Sequence, residues 1–424
     1  MKSQSSKLLN QAVNSINRFQ FDFYSQFSEQ KNLMISPLGL YLVLAMLHEG
    51  SLSETRAALA NLLHHHDSEL SLTSSLKMLI KELNSRTQLT AVEKEEVKEQ
   101  EAYKNELISR GEWNEDVAEL YGSATAEDIR LDLSIANGMW IQDTYACKNE
   151  FLETVRSEMA AEVSYLDFEG DPINSCRTIN NWIQEKTRGR SGMMLSPEYL
   201  QDRPVPCRMI LCNALYFKAR WQTEFPAPVA GPFHLLDGTT VQAQMMTNEF
   251  WGLDYMQTDS FLAVELPYYN RPMSMIIFSP IQRGPEAFLE MEREFHHHWS
   301  SFQLHRQTKS QSVTLTIPEF KIKAKHRLSS RLSAMGGQFI FEQGANFSGI
   351  SDEQGIYIDE ILQNTYIAVD QYGTEATAAT LAALLGAIAP NDKVILKIDH
   401  PFLFTIVDKP TGVILFVGKV TNPI

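Results

Sequence analysis

The stretch "PCRMILCNALYFKARW" (Pro206–Trp221) is apolar almost without interruption. A strand with one wet face alternates apolar and polar residues, so an unbroken run of β-type residues marks a strand covered on both faces. Its one neutral polar residue, Asn213, must find internal hydrogen bonds. This strand is expected to be buried on both faces.

Strand signals continue outward toward the C-terminus in "FLAVELPYY", "MSMIIFSP", "SVTLTIPEFKIKA", "NTYIAVD", "HPFLFTIVD" and "GVILFVGKV". The last two flank Lys409-Pro410-Thr411, a connection short enough for a hairpin. Toward the N-terminus, "LDLSIANGMWIQ" reads as a strand, followed by helices in "FLETVRSEMAAE" and "INSCRTINNWIQEKT". Leu9, Val13, Ile16, Phe19, Phe23 and Phe27 recur at helical spacing. In "ISPLGLYLVLAMLHEG", Ser36 is a cap candidate, Pro37 sits just inside the helix start and Gly50 at its end. That helix is apolar nearly all round, which places it inside the core. "SLSETRAALANLLHH" and "ELSLTSSLKMLIKELNSR" read as two more amphipathic helices.

Residues 87–130, rich in Glu and Lys, read as a charged insertion between the helical region and the first sheet strand, solvated or partly disordered. No Gly/Ser-rich linker divides the chain, so residues 1–424 are expected to form one α+β domain.

Composition narrows the function. The formal net charge of -15 disfavours nucleic-acid binding and attraction to anionic membranes. No apolar run is long enough to cross a bilayer, and no membrane partner is expected. The N-terminal stretch lacks the apolar core and cleavage site of a signal peptide. The cytosol follows if Met1 is the native start, and secretion if a signal preceded it. Cys147, Cys176, Cys207 and Cys212 are too few and too irregular for a disulfide framework, so free thiols are expected.

Catalytic patterns do not emerge. No phosphate-cradling glycine loop follows a strand, and the Gly336-Gly337 pair does not fit one. Gly-x-Ser-x-Gly is absent. His64-His65-His66 and His296-His297-His298 are adjacent residues, which on a helix point in different directions and do not readily share one ion. Met193-Met194 and Met245-Met246 read as core filler. No metal, no cofactor and no enzymatic activity are expected.

One stretch resists this description. "YGTEATAATLAALLGAIAPNDK" (Tyr372–Lys393) is small, apolar and poor in charge, fitting neither a buried helix nor an ordinary loop. Its setting supplies an answer. "NLMISPLGLYLVLAMLHEG", "INNWIQEKT", "NALYFKARW", "AVELPYYNRPMSMIIF", "LTIPEFKIKAKHRL", "GANFSGIS", "GTEATAAT" and "HPFLFTIV…GVILFVGKV" resemble serpin motifs, in serpin order, from residue 32 to residue 420. The resemblance implies a serpin fold of about nine helices and three β-sheets, with residues 371–392 as an exposed reactive-centre loop offered to a protease. It implies that the attacked loop stays covalently attached to the protease while inserting as a new strand of the main sheet.

The residues of that loop are compatible with insertion. Strand alternation places Thr374, Ala376, Ala378, Thr380, Ala382 and Leu384 on one face and Glu375, Thr377 and Ala379 on the other. Nothing charged lies on the entering face, where a buried unpaired charge would cost several kcal/mol. Gly373 supplies the hinge. Serpin counting places the reactive bond at Ala387–Ile388, with Leu384, Leu385 and Ile388 as alternative residues before the bond. A small residue there suits an elastase-like pocket, and leucine a chymotrypsin- or cathepsin-like one. No Lys or Arg occurs between Gly373 and Asn391, which disfavours trypsin-like targets.

The expected partner is therefore a serine protease, with papain-like cysteine proteases, or a non-inhibitory carrier or chaperone role, as alternatives. A monomer is expected. The 69–86 helix carries no Lys/Arg cluster, so heparin activation is not. Ser36, Asn213 and Gln363 correspond to the "shutter" of the main sheet and Trp221 to its upper "breach". Four residues depart from the family pattern. Gly39 replaces a usual serine and Gln363 a common histidine, while Gln371 and Glu319 stand where a Glu–Lys ion pair is usual.

Overall fold

The computed structural model describes residues 2–66, 71–114, 131–202, 206–269, 272–305, 307–308, 312–353, 355–374 and 394–424. The chain begins with helix α1 (Lys2–Tyr24), the short strand β1 (Leu33–Ile35) and helix α2 (Pro37–Glu49). Ser36 caps α2 by accepting a hydrogen bond from the Gly39 amide at 3.1 Å, with Pro37 in the first turn. Residues Pro37 to His48 of α2 are all buried, as an all-apolar helix demands.

Helices α3 (Ser53–Leu62), α4 (Leu72–Ser85) and α5 (Ala91–Ser109) follow. α5 occupies the charged insertion. It is held by a reciprocal capping box between Thr90 and Glu93, and most of its described side chains are exposed. Residues 115–130 of that insertion lie outside the described residues.

Next come β2 (Asp132–Gln142), α6 (Asn149–Met159), β3 (Ala161–Leu166), α7 (Pro172–Lys186), α8 (Pro197–Gln201) and β4 (Met209–Arg220). β4 falls within the opening stretch, and ten of its twelve residues are buried, all but Lys218 and Arg220. Strands β5 (Val229–His234), β6 (Thr240–Trp251), β7 (Asp254–Gln257), β8 (Phe261–Pro267) and β9 (Met273–Pro280) lead to helices α9 (Pro285–Arg293) and α10 (Phe295–His305). After β10 (Gln307–Thr308), β11 (Ser312–Pro318) and β12 (Phe320–Arg327) comes α11 (Ser329–Leu332). The chain closes with β13 (Glu360–Val369), β14 (Gly373–Thr374), β15 (Val394–Lys397), β16 (Phe402–Asp408) and β17 (Val413–Val420), the last two forming the expected hairpin.

These strands make three sheets. One has seven strands in the order β1-β17-β16-β9-β8-β7-β10, one has four in the order β15-β11-β6-β5, and the central one has six in the order β12-β13-β14-β4-β2-β3. The described residues hold eleven helices rather than about nine; α5 belongs to the insertion, and α8 and α11 are about one turn each. Helix α2 touches β2 and β4 of the central sheet and β17 of the seven-stranded sheet, so the main core lies around it.

Candidate functional site

The central sheet has an unusual seam. β13 and β4 pair in parallel from Glu360↔Ile210 to Tyr366↔Tyr216. Above Tyr366 they part, and the two-residue strand β14 fills the gap. Thr374 pairs antiparallel with Val369 of β13, while Gly373 and Thr374 pair antiparallel with Arg220 and Ala219 of β4. A parallel pair is slightly less stable per residue than an antiparallel one. A strand continuing from Thr374 down this seam would replace one parallel ladder with two antiparallel ladders.

The turn between β13 and β14 is tied by hydrogen bonds from the Asp370, Tyr372 and Gly373 amides and to its carbonyls. One Asp370 carboxylate oxygen accepts from the Tyr372 and Gly373 amides at 2.8 and 3.1 Å. The Asp370 amide donates to the Gly373 carbonyl, the Trp221 amide to Tyr372 and the Phe225 amide to Gln371, each at 2.9 Å. The buried Trp221 indole donates to the Asp370 carbonyl at 3.0 Å. Gly373 is required sterically, because a Cβ there would overlap the Ala219 carbonyl oxygen. Thr374 is fully buried, and its hydroxyl meets the Tyr268 hydroxyl at 2.9 Å.

Three carboxyls gather around this turn, with Arg220 and Lys218 as nearby cations. Burial, opposed by the two amide bonds, raises the Asp370 carboxyl above its ordinary range. Glu224 and Glu319 are raised by burial first and then by the charge on Asp370. Arg220 lies 3.4 Å from Glu224 and partly offsets this. Where an ion pair would ordinarily close the sheet top, Glu319 adds a third carboxyl.

Lower on the seam lies a neutral cluster. Gln363 of β13 and Asn213 of β4 are register partners and both are fully buried. The Gln363 side chain accepts from the Ser36 amide at 2.9 Å and donates to the Ser36 carbonyl at 2.7 Å and to Asn213 Oδ1 at 3.2 Å. Asn213 Nδ2 donates to Asn137 Oδ1 at 2.8 Å and to the Ala136 carbonyl at 3.3 Å. Ser36 Oγ donates to the Leu415 carbonyl at 2.7 Å. Gly39 leaves room for this arrangement, since a Cβ on it would overlap the Asn213 amide. His326, the register partner of Gln363 on β12, donates from Nε2 to the Met34 carbonyl at 3.0 Å.

Four sequence-derived site residues thus fall on one seam: Ser36, Asn213 and Gln363 together, and Trp221 at its top beside Gly373 and Thr374. Glu375, Ala376, Thr377, Ala378, Ala379, Thr380, Leu384, Leu385, Ala387 and Ile388 lie outside the described residues. Asn137, Asp370 and Tyr268 were not singled out from the sequence. A lone Asn in an apolar strand and a Tyr in a buried run both require partners, and that requirement was the available signal.

The histidine triplets do not form metal sites among the described residues, where no group of three or more His, Cys, Asp or Glu side chains is placed to hold an ion. His64 lies beyond the end of α3 with a left-handed backbone and contacts Asp22 at 2.6 Å. All four cysteines are free.

Comparison with known proteins gives one consistent family. The family model described as "Serpin (serine protease inhibitor)" matches residues 14–423. Human Serpin B11 is 29% identical over 400 residues, covering 92% of this chain and 93% of that protein. The pig leukocyte elastase inhibitor is 26% identical, covering 96% of this chain and 98% of its own length. The crystal structure of Serpin48, a highly specific serpin of the insect Tenebrio molitor, matches with a TM-score of 0.76 and 25% identity, over 97% of this chain and 98% of that one.

Proposed function

This chain belongs to the serpin family, and we propose that it is an inhibitor that traps serine proteases by covalent attachment followed by insertion of its reactive loop. The observation that carries this reading is the seam itself. β14 runs antiparallel to both neighbours and sits where β13 and β4 separate. A strand extended from Thr374 has two waiting edges only after the parallel β13–β4 pairing opens.

Chemically, the protease hydroxyl attacks the carbonyl before the scissile bond, and the new amino terminus departs with its proton. The chain upstream of the acyl carbon is then no longer tethered to β15, which remains bound in the four-stranded sheet. Between Thr374 and Ala387 an extended strand covers roughly 43 Å, enough to carry the attached protease from the top of the sheet toward its far end. Because Thr374 points inward and is fully buried, alternation assigns Ala376, Ala378 and Thr380 to the same inner face, where small side chains meet least resistance. The outer face takes Glu375, whose charge stays in water.

Ala387 as the residue before the bond favours elastase-like targets. Incubation with elastase, chymotrypsin and cathepsin L, followed by denaturing gels and intact mass, tests this. A band at the summed mass and a released peptide beginning at Ile388 are expected with elastase. Quantitative cleavage without any such band would make the molecule a substrate and overturn the inhibitory reading. A covalent adduct with cathepsin L alone would move the target to cysteine proteases.

A further inference from the structure

Thr374 is the only residue of the reactive-loop segment whose described side chain is already inside the sheet, and the group that receives it is unusually well fixed. Tyr268 is buried to 1% exposure. Its ring stacks on Trp221 at 4.9 Å with the planes 8° apart, and the edge of Phe217 approaches from another side at 5.1 Å. Its backbone is held on both edges: the Tyr268 amide donates to the Met273 carbonyl at 3.0 Å, and Tyr268 bridges Trp221 in an antiparallel pair. Neighbouring amides reinforce that bridge, with Gln222 donating to Pro267 and Tyr269 to Arg220, both at 2.8 Å. A ring so clamped presents its hydroxyl at one point, and the Thr374 hydroxyl occupies that point at 2.9 Å. Burial pushes the phenol above its ordinary range and so favours the neutral, protonated hydroxyl.

Resting on the inhibitory reading above, we propose that Tyr268 is a positioning residue that latches Thr374 between β13 and β4 in the intact chain, so that insertion starts from a formed nucleus. Forming the first rung of a strand is the costly step, because ends must be brought together before neighbouring rungs reward it. Here Gly373 and Thr374 have already made those first pairs. Once the loop is cut, insertion proceeds from Thr374 without first separating β13 from β4 at the top. Loss of the latch leaves the hinge outside the sheet before cleavage, and the first rung must then form while the acyl-enzyme is open to hydrolysis.

Four variants separate the contact from general damage. Tyr268→Phe removes only a hydroxyl and keeps the stacking on Trp221. Thr374→Val removes the partner at equal volume, Thr374→Ser retains it, and Gly373→Ala expels the hinge by overlap with the Ala219 carbonyl. Hydrogen-exchange mass spectrometry of the peptide containing Gly373 and Thr374, on intact protein without protease, reads the latch directly.

Wild type and Thr374→Ser are expected to protect that peptide. Tyr268→Phe and Thr374→Val should exchange there about fivefold faster or more, the scale of one lost hydrogen bond, and Gly373→Ala faster still. With a protease that wild type traps, the stoichiometry of inhibition should rise roughly threefold in the first two variants, also on the scale of one hydrogen bond, and return to the wild-type value in Thr374→Ser. An unprotected hinge in wild type, or full protection in Tyr268→Phe, overturns the latch. Protection that is lost in Tyr268→Phe and kept in Thr374→Ser, with no covalent complex from any protease, sinks the inhibitory reading while the latch stands.

Discussion

The middle and the top of the β13–β4 seam are closed by opposite means. In the middle, Ser36, Gln363, Asn213 and Asn137 form a chain of neutral hydrogen bonds in which each buried amide finds partners. At the top, the closing element is the two-residue strand β14, surrounded by Asp370, Glu224 and Glu319, all held above their ordinary carboxylate range. Neutral, satisfied networks fix one geometry, whereas like charges under partial burial are tolerated only because surrounding structure holds them. If the loop inserts as proposed, the difference implies an order of opening: the top should separate first, and the middle should yield when an advancing strand supplies replacement pairings.

The largest way to break that contrast is Gln363→Leu. It orphans the Ser36 amide and Asn213 Oδ1 and leaves the Ser36 carbonyl with only the Leu40 amide, and should cost about 3–5 kcal/mol in a denaturation midpoint series. A loss below about 1 kcal/mol would mean that the middle of the seam is not held by this network. Next in size is Gly39→Ser. Its Cβ must displace the Asn213 amide, and about 2 kcal/mol of destabilisation is expected by the same measurement.

Acid should act with opposite sign on the buried histidines and on the carboxyls of the sheet top. Burial holds His48 and His326 down to about 4. The unfolded chain therefore takes up their protons first, and stability present above about pH 6.5 is lost as pH falls toward 4. The loss is on the order of 2 kcal/mol for each histidine. His326→Gln should remove its share of the drop in melting temperature between pH 6.5 and 4.5, and an unchanged pH profile would contradict the assignment.

Asp370 has the reverse linkage. Its folded value is raised, so its contribution is favourable at low pH and is lost as pH rises through that value. Asp370→Asn keeps an acceptor for the Tyr372 and Gly373 amides and removes the charge. A gain of up to about 1 kcal/mol at pH 7 is expected, vanishing near pH 3. Destabilisation at pH 7 would show that the carboxylate is needed at the hinge.

Much of this was legible in the sequence because the relevant signals are local or familial. The unbroken apolar run of β4 announced a strand covered on both faces, and the all-apolar α2 announced a buried helix. The order of eight motifs then tied the chain to its family and put Ser36, Asn213, Gln363 and Trp221 on one seam. What stayed hidden depends on register between distant segments. Tyr268 and Thr374 are 106 residues apart, and no periodicity records that β14 occupies the gap above Tyr366. The role of Gly39 was likewise unreadable as a departure from pattern. Only the position of the Asn213 amide shows that the missing side chain is needed space. The acidic tendency of the sheet top could be suspected from Gln371 and Glu319, but Asp370 and Glu224 joined them only through folding.

Thermal unfolding before and after limited cleavage within residues 375–393 tests the central claim most directly. If the cut loop becomes a central strand with two antiparallel ladders, the melting temperature should rise by more than about 10 °C relative to the intact chain, given the area and hydrogen bonds such a strand adds. A cleaved protein that melts at or below the intact one would show that the seam does not accept the loop, and the trapping mechanism would fall with it.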